Sequence, residues 1–423
     1  MNYNTTKLLL GIDDKHVKVK GGTERADGII QVIGKLTYRP KACPHCGVVN
    51  DHKIINYGWR ETNVRFVQTL GNNVLLKLNR RNFKCKECQR TFLAQTSLVP
   101  KHCSISNPTR QECLERLAEP VSLKHIANEL ATSASFVARM LMQSEIYFEP
   151  NWQHLPEVLL LDEIKTTNNA DETMSFEMMD AETHEFIDLL PFRSIFKLQR
   201  HFRHYTEDAR QRVKIIVTDM NYTYPKLVGT VFPNAIVLID RFHIINALNR
   251  AFTKTRIRIM KGMSTSSHEY RALKRYWKLL LQPAEDVDYT NYHKWTSFSH
   301  MLCAKDVVDQ LLSIDPELEA TYQVLNSLRY ALKTNNWNNY NATFWHTDGI
   351  SPEMQSTLET LKEHHDEIKN TFNYPYSNGP LEGTNNKIKA IKRAGFGYRS
   401  FRKFRVRVLY TLHIKTKKVL ITK

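Results

Sequence analysis

Residues 213–240, VKIIVTDMNYTYPKLVGTVFPNAIVLID, contain two short apolar runs separated by a segment with helical periodicity. The runs Val213–Val217 and Ala235–Ile239 are rich in β-branched residues, which predicts two buried strands. Tyr224–Val231, between them, predicts a helix. A strand, a helix and a second strand in this order are typical of a parallel α/β sheet. The segment therefore predicts a parallel sheet in this part of the chain.

Three more strands are predicted upstream of this segment. They are Val158–Leu161, Met174–Met179 and Phe186–Pro191, and a predicted helix at Phe196–Tyr205 follows them. Three hairpin-like strands followed by alternating helices and strands are the element order of the ribonuclease H-like α/β fold. We therefore expect an α/β domain of this type within residues 151–423.

An aspartate ends each of three predicted strands. Asp162 follows the strand at 158–161, and Asp219 and Asp240 come at the ends of the two later strands. Open α/β sheets place their functional sites at the carboxyl ends of the strands. One such aspartate is common, but three in corresponding positions indicate a shared site.

The chain after these strands predicts a long helical region and then a second acidic motif. Residues from Phe242 to about Tyr374 are aromatic-rich and predict helices only. A Gly379-Pro380 break follows, and Glu382 lies in the first turn of the next predicted helix. At helical spacing Glu382 shares a face with amides and cations, namely Asn385, Asn386, Lys389 and Arg393. Such a face can bind a metal ion and phosphate, whereas the alternative is a turn before a solvated helix.

Four of the seven cysteines form two C-x-x-C pairs in residues 1–103. They are Cys43, Cys46, Cys85 and Cys88. Glu61–Leu70 and Val74–Asn79 predict two strands joined by a turn, and this hairpin would bring the pairs together. Tetrahedral coordination by four thiolates is typical of structural zinc sites. We therefore expect structural Zn²⁺ here, with a redox role for the cysteines as the alternative.

Residues 104–150 predict a helix-turn-helix. Ser122–Leu130 and Ala134–Gln143 each place apolar residues on one helical face, and a three-residue turn joins them. Any small three-helix bundle is the alternative. The second helix offers few polar side chains for contacts with bases, namely Ser133, Ser135 and Arg139.

The chain of 423 residues carries a formal net charge of +17, which favours a polyanionic partner. Residues 383–423 contain thirteen Lys or Arg and no acid, and apolar and aromatic residues alternate with these cations. We expect this segment to lie along a phosphate backbone. A folded helix with a solvated basic face is the alternative.

The sequence predicts neither a membrane span nor a secretory signal. The apolar runs, such as Val158–Leu161, are far too short to cross a bilayer. The N-terminal residues MNYNTTKLLLGIDD have no small-residue cleavage site. We therefore expect a cytoplasmic protein with no membrane partner.

Several motifs, taken in order, resemble bacterial insertion-sequence transposases of the ISL-three family. They are CPHC and CKEC, the helix-turn-helix, LLLDE, VTDMN, DRFHIINALNR and SNGPLEGTNNKIKAIKRAGFGYRSF. The resemblance covers nearly the whole chain. It implies a multidomain α+β protein in which a zinc ribbon and a helix-turn-helix precede a ribonuclease H-like DDE domain. In that domain a helical insertion would occupy about residues 245–372.

The resemblance also implies the residues of a catalytic site. The catalytic carboxylates would be Asp162, Asp219 and Glu382, and a D-x-x-H motif of Asp240 and His243 would support them. Cleavage and joining of DNA phosphodiesters is an in-line displacement, for which two Mg²⁺ ions stabilise the attacking and leaving oxygens. We therefore expect two Mg²⁺ ions in the active site, bound by the three carboxylates, with Mn²⁺ as an alternative ion.

A transposase requires double-stranded DNA, both as the terminal inverted repeats of its element and as the target. Besides the helix-turn-helix residues, we expect exposed cations near the C-terminus to bind DNA, namely Lys387, Lys389, Lys392, Arg393, Arg399 and Arg402. A homodimer or a larger assembly on DNA, associated with the bacterial nucleoid, is expected.

Two other functions remain open from the sequence. A zinc-ribbon and helix-turn-helix regulator would share the N-terminal half of the chain, but it would not need the carboxylates to converge. A resolvase-type nuclease on the same fold would need the metal ions but no domains that recognise element ends.

Overall fold

The computed structural model describes residues 3–69, 71–220 and 223–413. These residues divide into two compact units. The first unit contains the residues up to Glu149, residues 167–169 and the residues from Lys387 onward; the second contains 150–166 and 170–386. Leu70 of the predicted hairpin and the last ten residues of the basic C-terminal segment lie outside the described residues.

The strands and helices of the described residues are numbered here in chain order. The strands are β1 (Val17–Glu24), β2 (Ile30–Leu36), β3 (Ile54–Thr69), β4 (Asn72–Cys85), β5 (Thr91–Leu93), β6 (Val158–Ile164), β7 (Ser175–Asp180), β8 (Phe186–Leu190), β9 (Ile215–Thr218), β10 (Ile236–Ile239), β11 (His293–Lys294) and β12 (Met301–Leu302). The helices are α1 (Tyr3–Leu9), α2 (Asn107–Arg116), α3 (Leu123–Glu129), α4 (Ala134–Gln143), α5 (Ile195–Phe202), α6 (Glu207–Arg212), α7 (Thr223–Val231), α8 (Arg241–Lys261), α9 (His268–Arg275), α10 (Trp277–Leu280), α11 (Ala304–Leu312), α12 (Pro316–Lys333), α13 (Trp337–Trp345), α14 (Pro352–Lys362), α15 (His365–Asn373), α16 (Gly379–Ala394) and α17 (Phe401–His413).

The first unit contains a sheet in the order β1-β2-β4-β3, with β5 paired to β4. Alternate residues of β4, including Val74, Leu76 and Leu78, are buried in its core, as the period of a strand requires. The predicted hairpin is present, although β3 and β4 are longer than expected. Strands β1 and β2 were not predicted from the sequence. Strand β2 pairs in parallel with β4. This contact joins distant parts of the chain, so no turn motif in the sequence predicts it.

The helix-turn-helix consists of α3 and α4. Each helix begins at a serine, since Ser122 Oγ accepts a hydrogen bond from the His125 N–H and Ser133 Oγ accepts one from the Phe136 N–H. Helix α17 belongs to the same unit, and its Val406 lies in the core that α2, α3 and α4 form. The C-terminal end of the described chain therefore completes the helix-turn-helix core.

The second unit contains the predicted ribonuclease H-like sheet. The strand order is β10-β9-β6-β7-β8, in which β10, β9 and β6 are parallel and β6, β7 and β8 are antiparallel. All four residues of β9 are buried, which accounts for the uninterrupted apolar run in its sequence. The predicted fold class is confirmed.

The region between β10 and α16 contains helices α8 to α15 and packs as part of the core of the second unit. It is not entirely helical, because β11 and β12 form a short antiparallel pair. The prediction of helices only was wrong at this point, since strands of two residues carry no detectable periodicity. Within 3–69, 71–220 and 223–413, no helix is both long and apolar enough to cross a membrane.

Candidate active site and zinc centre

The four cysteines of the C-x-x-C pairs converge at one end of the β3–β4 hairpin. The Sγ atoms of Cys43 and Cys88 are 3.8 Å apart, as are those of Cys46 and Cys85. A tetrahedral site with Zn–S distances of about 2.3 Å has S···S edges of about 3.8 Å. Ile54 at the start of β3 pairs with Cys85 at the end of β4, which brings the second pair beside the first.

The backbone around Cys43 favours a thiolate. Burial opposes ionisation of this thiol, but the N–H groups of His45 and Cys46 point at its sulfur and lower its pKa to about 6. Thiolates are the form that binds zinc. The four cysteines therefore form the structural zinc site expected of a zinc ribbon.

Asp162 and its neighbour Glu163 lie on opposite faces of strand β6, because successive side chains of a strand alternate. Glu163 accepts hydrogen bonds from the Tyr224 hydroxyl (2.7 Å) and from Arg193 (2.6 Å). Asp162 faces the other way and is available for the site. Glu163 therefore forms an ion pair with Arg193, whereas Asp162 faces the candidate site.

Asp240 and His243 lie at the start of α8, directly after strand β10. Asp240 is buried, and its Oδ1 accepts a hydrogen bond of 3.1 Å from the Asn378 N–H. Its Oδ2 and the Nε2 of His243 are also buried, and neither has a hydrogen-bond partner among the described residues. Buried polar atoms are normally paired, so these two atoms point to a ligand at this position.

Helix α16 brings Glu382 to the same place. The Asn378 side chain donates a hydrogen bond of 3.0 Å to the Leu161 carbonyl, and Asn385 donates one of 3.1 Å to Asp162 Oδ2. Ligand-capable atoms of Asp240, His243 and Glu382 all lie within 4.8 Å of one another. The two asparagines fix α16 against the sheet, a role that the sequence analysis did not assign to them.

The pKa of Asp162 shows that Asp219 also lies near this cluster. Burial raises the pKa of Asp162 to about 6; the Glu163 N–H and His243 lower it, and the nearby charges of Asp219 and Glu382 raise it further. Asp219 and Glu382 are therefore both close enough to Asp162 to repel its charge. A cation bound among them would relieve that repulsion.

The donor set fits a hard divalent cation. Carboxylate oxygens are the ligands that Mg²⁺ and Mn²⁺ prefer, and the unpaired Asp240 oxygen is a donor of this kind. The closest group of ligand atoms contains Asp240 and His243 with Glu382, whereas the resemblance implied Asp162 and Asp219 with Glu382. The D-x-x-H motif therefore lies next to Glu382, in a group of side chains that could hold a metal ion.

The predicted DNA-binding side chains are mostly exposed. Ser135 and Arg139 are exposed on α4, and Lys387, Lys389, Arg393 and Arg399 are exposed near the C-terminus. Ser133 also caps α4, so its oxygen has a structural role. Arg402 forms a bidentate ion pair with Glu145, with distances of 2.6–3.0 Å. An acid from outside the basic segment therefore offsets part of its charge, which the local sequence could not reveal.

Comparison with known proteins assigns a family to this fold and site. A transposase family model, for the DDE domain of the ISL3 type, matches residues 159–408. A second model, described as the zinc-finger of transposase IS204/IS1001/IS1096/IS1165, matches residues 39–88.

Two relatives match parts or most of the chain. The transposase for insertion sequence element IS1001 of Bordetella parapertussis is 22% identical over 383 residues, which is 88% of each chain. A Lactococcus lactis subsp. lactis protein named ATP-dependent protease is 35% identical over 119 residues, which is 28% of this chain and 38% of that protein. The two family models and the near full-length relative confirm the sequence-based prediction: the chain belongs to the ISL3 family of DNA transposases.

Proposed function

We infer that this chain catalyses divalent-metal-dependent cleavage at the ends of an insertion element and the transfer of those ends to target DNA. The observation that carries this proposal is the convergence of Asp162, Asp240, His243 and Glu382 from three separate elements. In this cluster the buried Asp240 Oδ2 and His243 Nε2 have no hydrogen-bond partner among the described residues. A DNA-binding regulator would have no need for such a cluster. The family match supports the same conclusion.

Asp162, Asp219 and Glu382 are the proposed metal ligands. Two Mg²⁺ ions, when bound, would activate the attacking oxygen and stabilise the leaving oxygen. Asp162, which Asn385 holds in place, would bind the metal together with Asp219 and Glu382. Asp240, through its free oxygen, and His243, through Nε2, are proposed to orient the scissile phosphate or a water molecule.

The proposed substrate is double-stranded DNA, which enters both as terminal inverted repeats and as target. Arg139 and Ser135 of the helix-turn-helix would contact one DNA segment, and the exposed cations of the C-terminal segment would bind phosphates. A homodimer or larger assembly would pair the two element ends. Because the bacterial nucleoid lies in the cytoplasm, we propose that the protein acts there.

One assay separates this proposal from its rivals. The purified protein is incubated with a duplex carrying the inverted repeats that flank its gene, a target plasmid and Mg²⁺ or Mn²⁺. Joined products with the element 3′ end attached to the plasmid are expected. Binding without cleavage would favour a regulator, cleavage without joining would favour a resolvase-type nuclease, and either result would overturn the proposal.

A further inference from the structure

The helical region of the second unit contains a cavity of about 520 Å³ that is lined by basic and hydroxyl side chains. The lining residues are His268, Arg271, Lys274, Arg275, Thr296 and Ser297. No carboxylate lines it. The cavity belongs to the region between β10 and α16, and neither the metal cluster nor the zinc site uses any of its residues.

One wall of the cavity is the outer face of α9. Ala272 and Leu273 are buried in the core, and their burial turns the side chains of Arg271, Lys274 and Arg275 outward. Ser267 caps the helix by accepting a hydrogen bond of 3.0 Å from the Tyr270 N–H. The three cations are therefore carried on a helix that is fixed at its start and packed along one side.

The opposite wall is the segment between β11 and β12. Trp295 and Phe298 pack against Tyr276, with ring centroids 5.2 and 5.8 Å apart, and Trp295 Nε1 donates a hydrogen bond of 2.8 Å to the Leu302 carbonyl. His268 contacts the Ser297 carbonyl and so connects the two walls. The aromatic anchors hold Thr296 and Ser297 at the rim of the cavity.

Among the described residues, no carboxylate offsets the charge of the cations of this cavity, unlike that of several lysines elsewhere in the same unit. Within the described residues, Arg271, Lys274 and Arg275 form no ion pair with a carboxylate. By contrast, Lys214, Lys305 and Lys333 are paired with Glu157, Asp309 and Glu285. Unneutralised like charges on one helix repel one another, which is a cost that an anionic partner removes.

We propose that this cavity binds the phosphodiester backbone of double-stranded DNA. Arg, Lys, Ser and Thr side chains are those that contact DNA phosphates in protein complexes, and this cavity combines all four. Small-molecule pockets are lined mainly by apolar side chains, and single strands are held by aromatic stacking. The lining residues include no Phe, Tyr or Trp and no aliphatic side chain, so the cavity has neither an apolar lining nor a stacking platform of these rings.

The inference rests on the proposed function, since the DNA held here would be the DNA on which the active site acts. It adds a contact surface within the helical region, outside the helix-turn-helix and the basic C-terminal segment. Three phosphate contacts would contribute up to about 2.7 to the slope of log affinity against log salt.

The test compares two triple variants of the full-length chain that lose the same charge. One is Arg271→Gln with Lys274→Gln and Arg275→Gln. The control is Lys214→Gln with Lys305→Gln and Lys333→Gln, whose cations already have carboxylate partners. Affinity for duplex DNA is measured across a salt series without divalent ions. The slope of log affinity against log salt concentration should become less steep than in the wild type by about 2–3 for the cavity variant. For the control variant this change should be less than about 1. Equal slopes for the two variants would overturn the proposal.

Lysine footprinting locates the contact directly. Acetylation of the wild-type protein, read by mass spectrometry, should slow at Lys274 when duplex DNA is added and stay unchanged at Lys333. Protection of Lys274 that needs no DNA and rises with protein concentration would instead identify a second copy of the chain, and it would overturn the proposal.

Failure of this inference is distinguishable from failure of the proposed function. If wild-type protein joins DNA in Mg²⁺ but Lys274 is never protected, only the cavity assignment fails. If Lys274 is protected but no cleavage or joining occurs, the cavity assignment stands and the proposed chemistry fails.

Discussion

The side-chain amide of Asn385 donates a hydrogen bond of 3.1 Å to Asp162 Oδ2, although 223 residues separate them in the sequence. Asn385 lies on α16 about one turn after Glu382, and Asp162 lies on strand β6. The hydrogen bond therefore fixes the helix that carries one predicted metal ligand against the strand that carries another. The spacing of the carboxylates depends on this contact as well as on the sheet.

Glu382→Gln should abolish Mg²⁺-dependent cleavage and strand transfer, because it removes a ligand charge while keeping the shape of the side chain. DNA affinity and thermal stability should stay near those of the wild type. Asp162→Asn and Asp219→Asn should likewise lose cleavage and strand transfer while keeping DNA affinity. Activity is measured by product formation on gels, and affinity by fluorescence anisotropy.

Glu363→Gln is the matched control for this series. Glu363 is an exposed acid at the end of α14, outside the cluster, and its loss should be nearly silent. If Glu363→Gln lost cleavage while Glu382→Gln retained it, the third carboxylate would have been assigned to the wrong helix.

Cys43→Ser or Cys88→Ser should remove zinc and unfold the ribbon of the first unit, since metal binding supplies much of the folding free energy of such sites. Zinc content is measured by mass spectrometry of protein purified under reducing conditions. Cys103→Ser, which changes an exposed cysteine outside the cluster, should keep its zinc. A wild-type protein without zinc would contradict the assignment.

Asp162→Asn should make the second unit more stable at pH 8 but not at pH 4. The pKa of Asp162 is raised to about 6 by burial, whereas an unfolded aspartate has a pKa of about 3.9. Between those values the folded chain keeps a proton that the unfolded chain has lost. The free energy of unfolding therefore falls as pH rises through this window, and the loss reaches at most about 3 kcal/mol above pH 6.

Urea unfolding of both proteins at pH 4 and pH 8, without added divalent ions, tests this expectation. The variant should gain about 1–3 kcal/mol over the wild type at pH 8 only. A variant that is less stable than the wild type at pH 8 would mean that the ionised carboxylate is well solvated.

Arg407→Ala should destabilise the first unit. Arg407 is fully buried on α17 and donates hydrogen bonds to the carbonyls of Glu119 and Val121. Truncation removes the Arg407 donor from both carbonyls, although the Glu119 carbonyl keeps the Val121 N–H, and it opens a cavity, so the free energy of unfolding should fall by about 3 kcal/mol. Arg402→Ala, on the same helix, breaks only an exposed ion pair and should leave the transition near that of the wild type.

The unfolding transition of the first unit, followed by circular dichroism, measures both effects. Equal losses for the two variants would mean that Arg407 contributes no more than a surface cation.

Local patterns predicted the strands β6 to β10 because each carries a short apolar run that ends at a turn or an aspartate. The zinc ligands could also be predicted from the sequence, because both cysteine pairs have C-x-x-C spacing. The parallel pairing of β2 with β4 was not predicted because it joins segments far apart in the chain. The ion pair of Arg402 with Glu145 was missed for the same reason. Strand β1 was also missed, although it pairs locally with β2.

At the active site, residue type and strand position pointed to the carboxylates but not to what holds them. Asn378 and Asn385 were not predicted to bridge α16 and the sheet, because an amide can pair with almost any neighbour. The separate environments of Asp162 and Glu163 likewise depend on the tertiary positions of Arg193 and Tyr224.

Helix α17 completes the hydrophobic core around α2, α3 and α4, with Tyr410 donating a hydrogen bond of 2.8 Å to the Leu114 carbonyl. During synthesis the ribosome makes these three helices first and then nearly all of the second unit before α17 emerges. The core of the helix-turn-helix therefore cannot be completed until α17 has been synthesised. A premature stop codon anywhere in the catalytic region would remove not only catalysis but also the stable form of the module that precedes it.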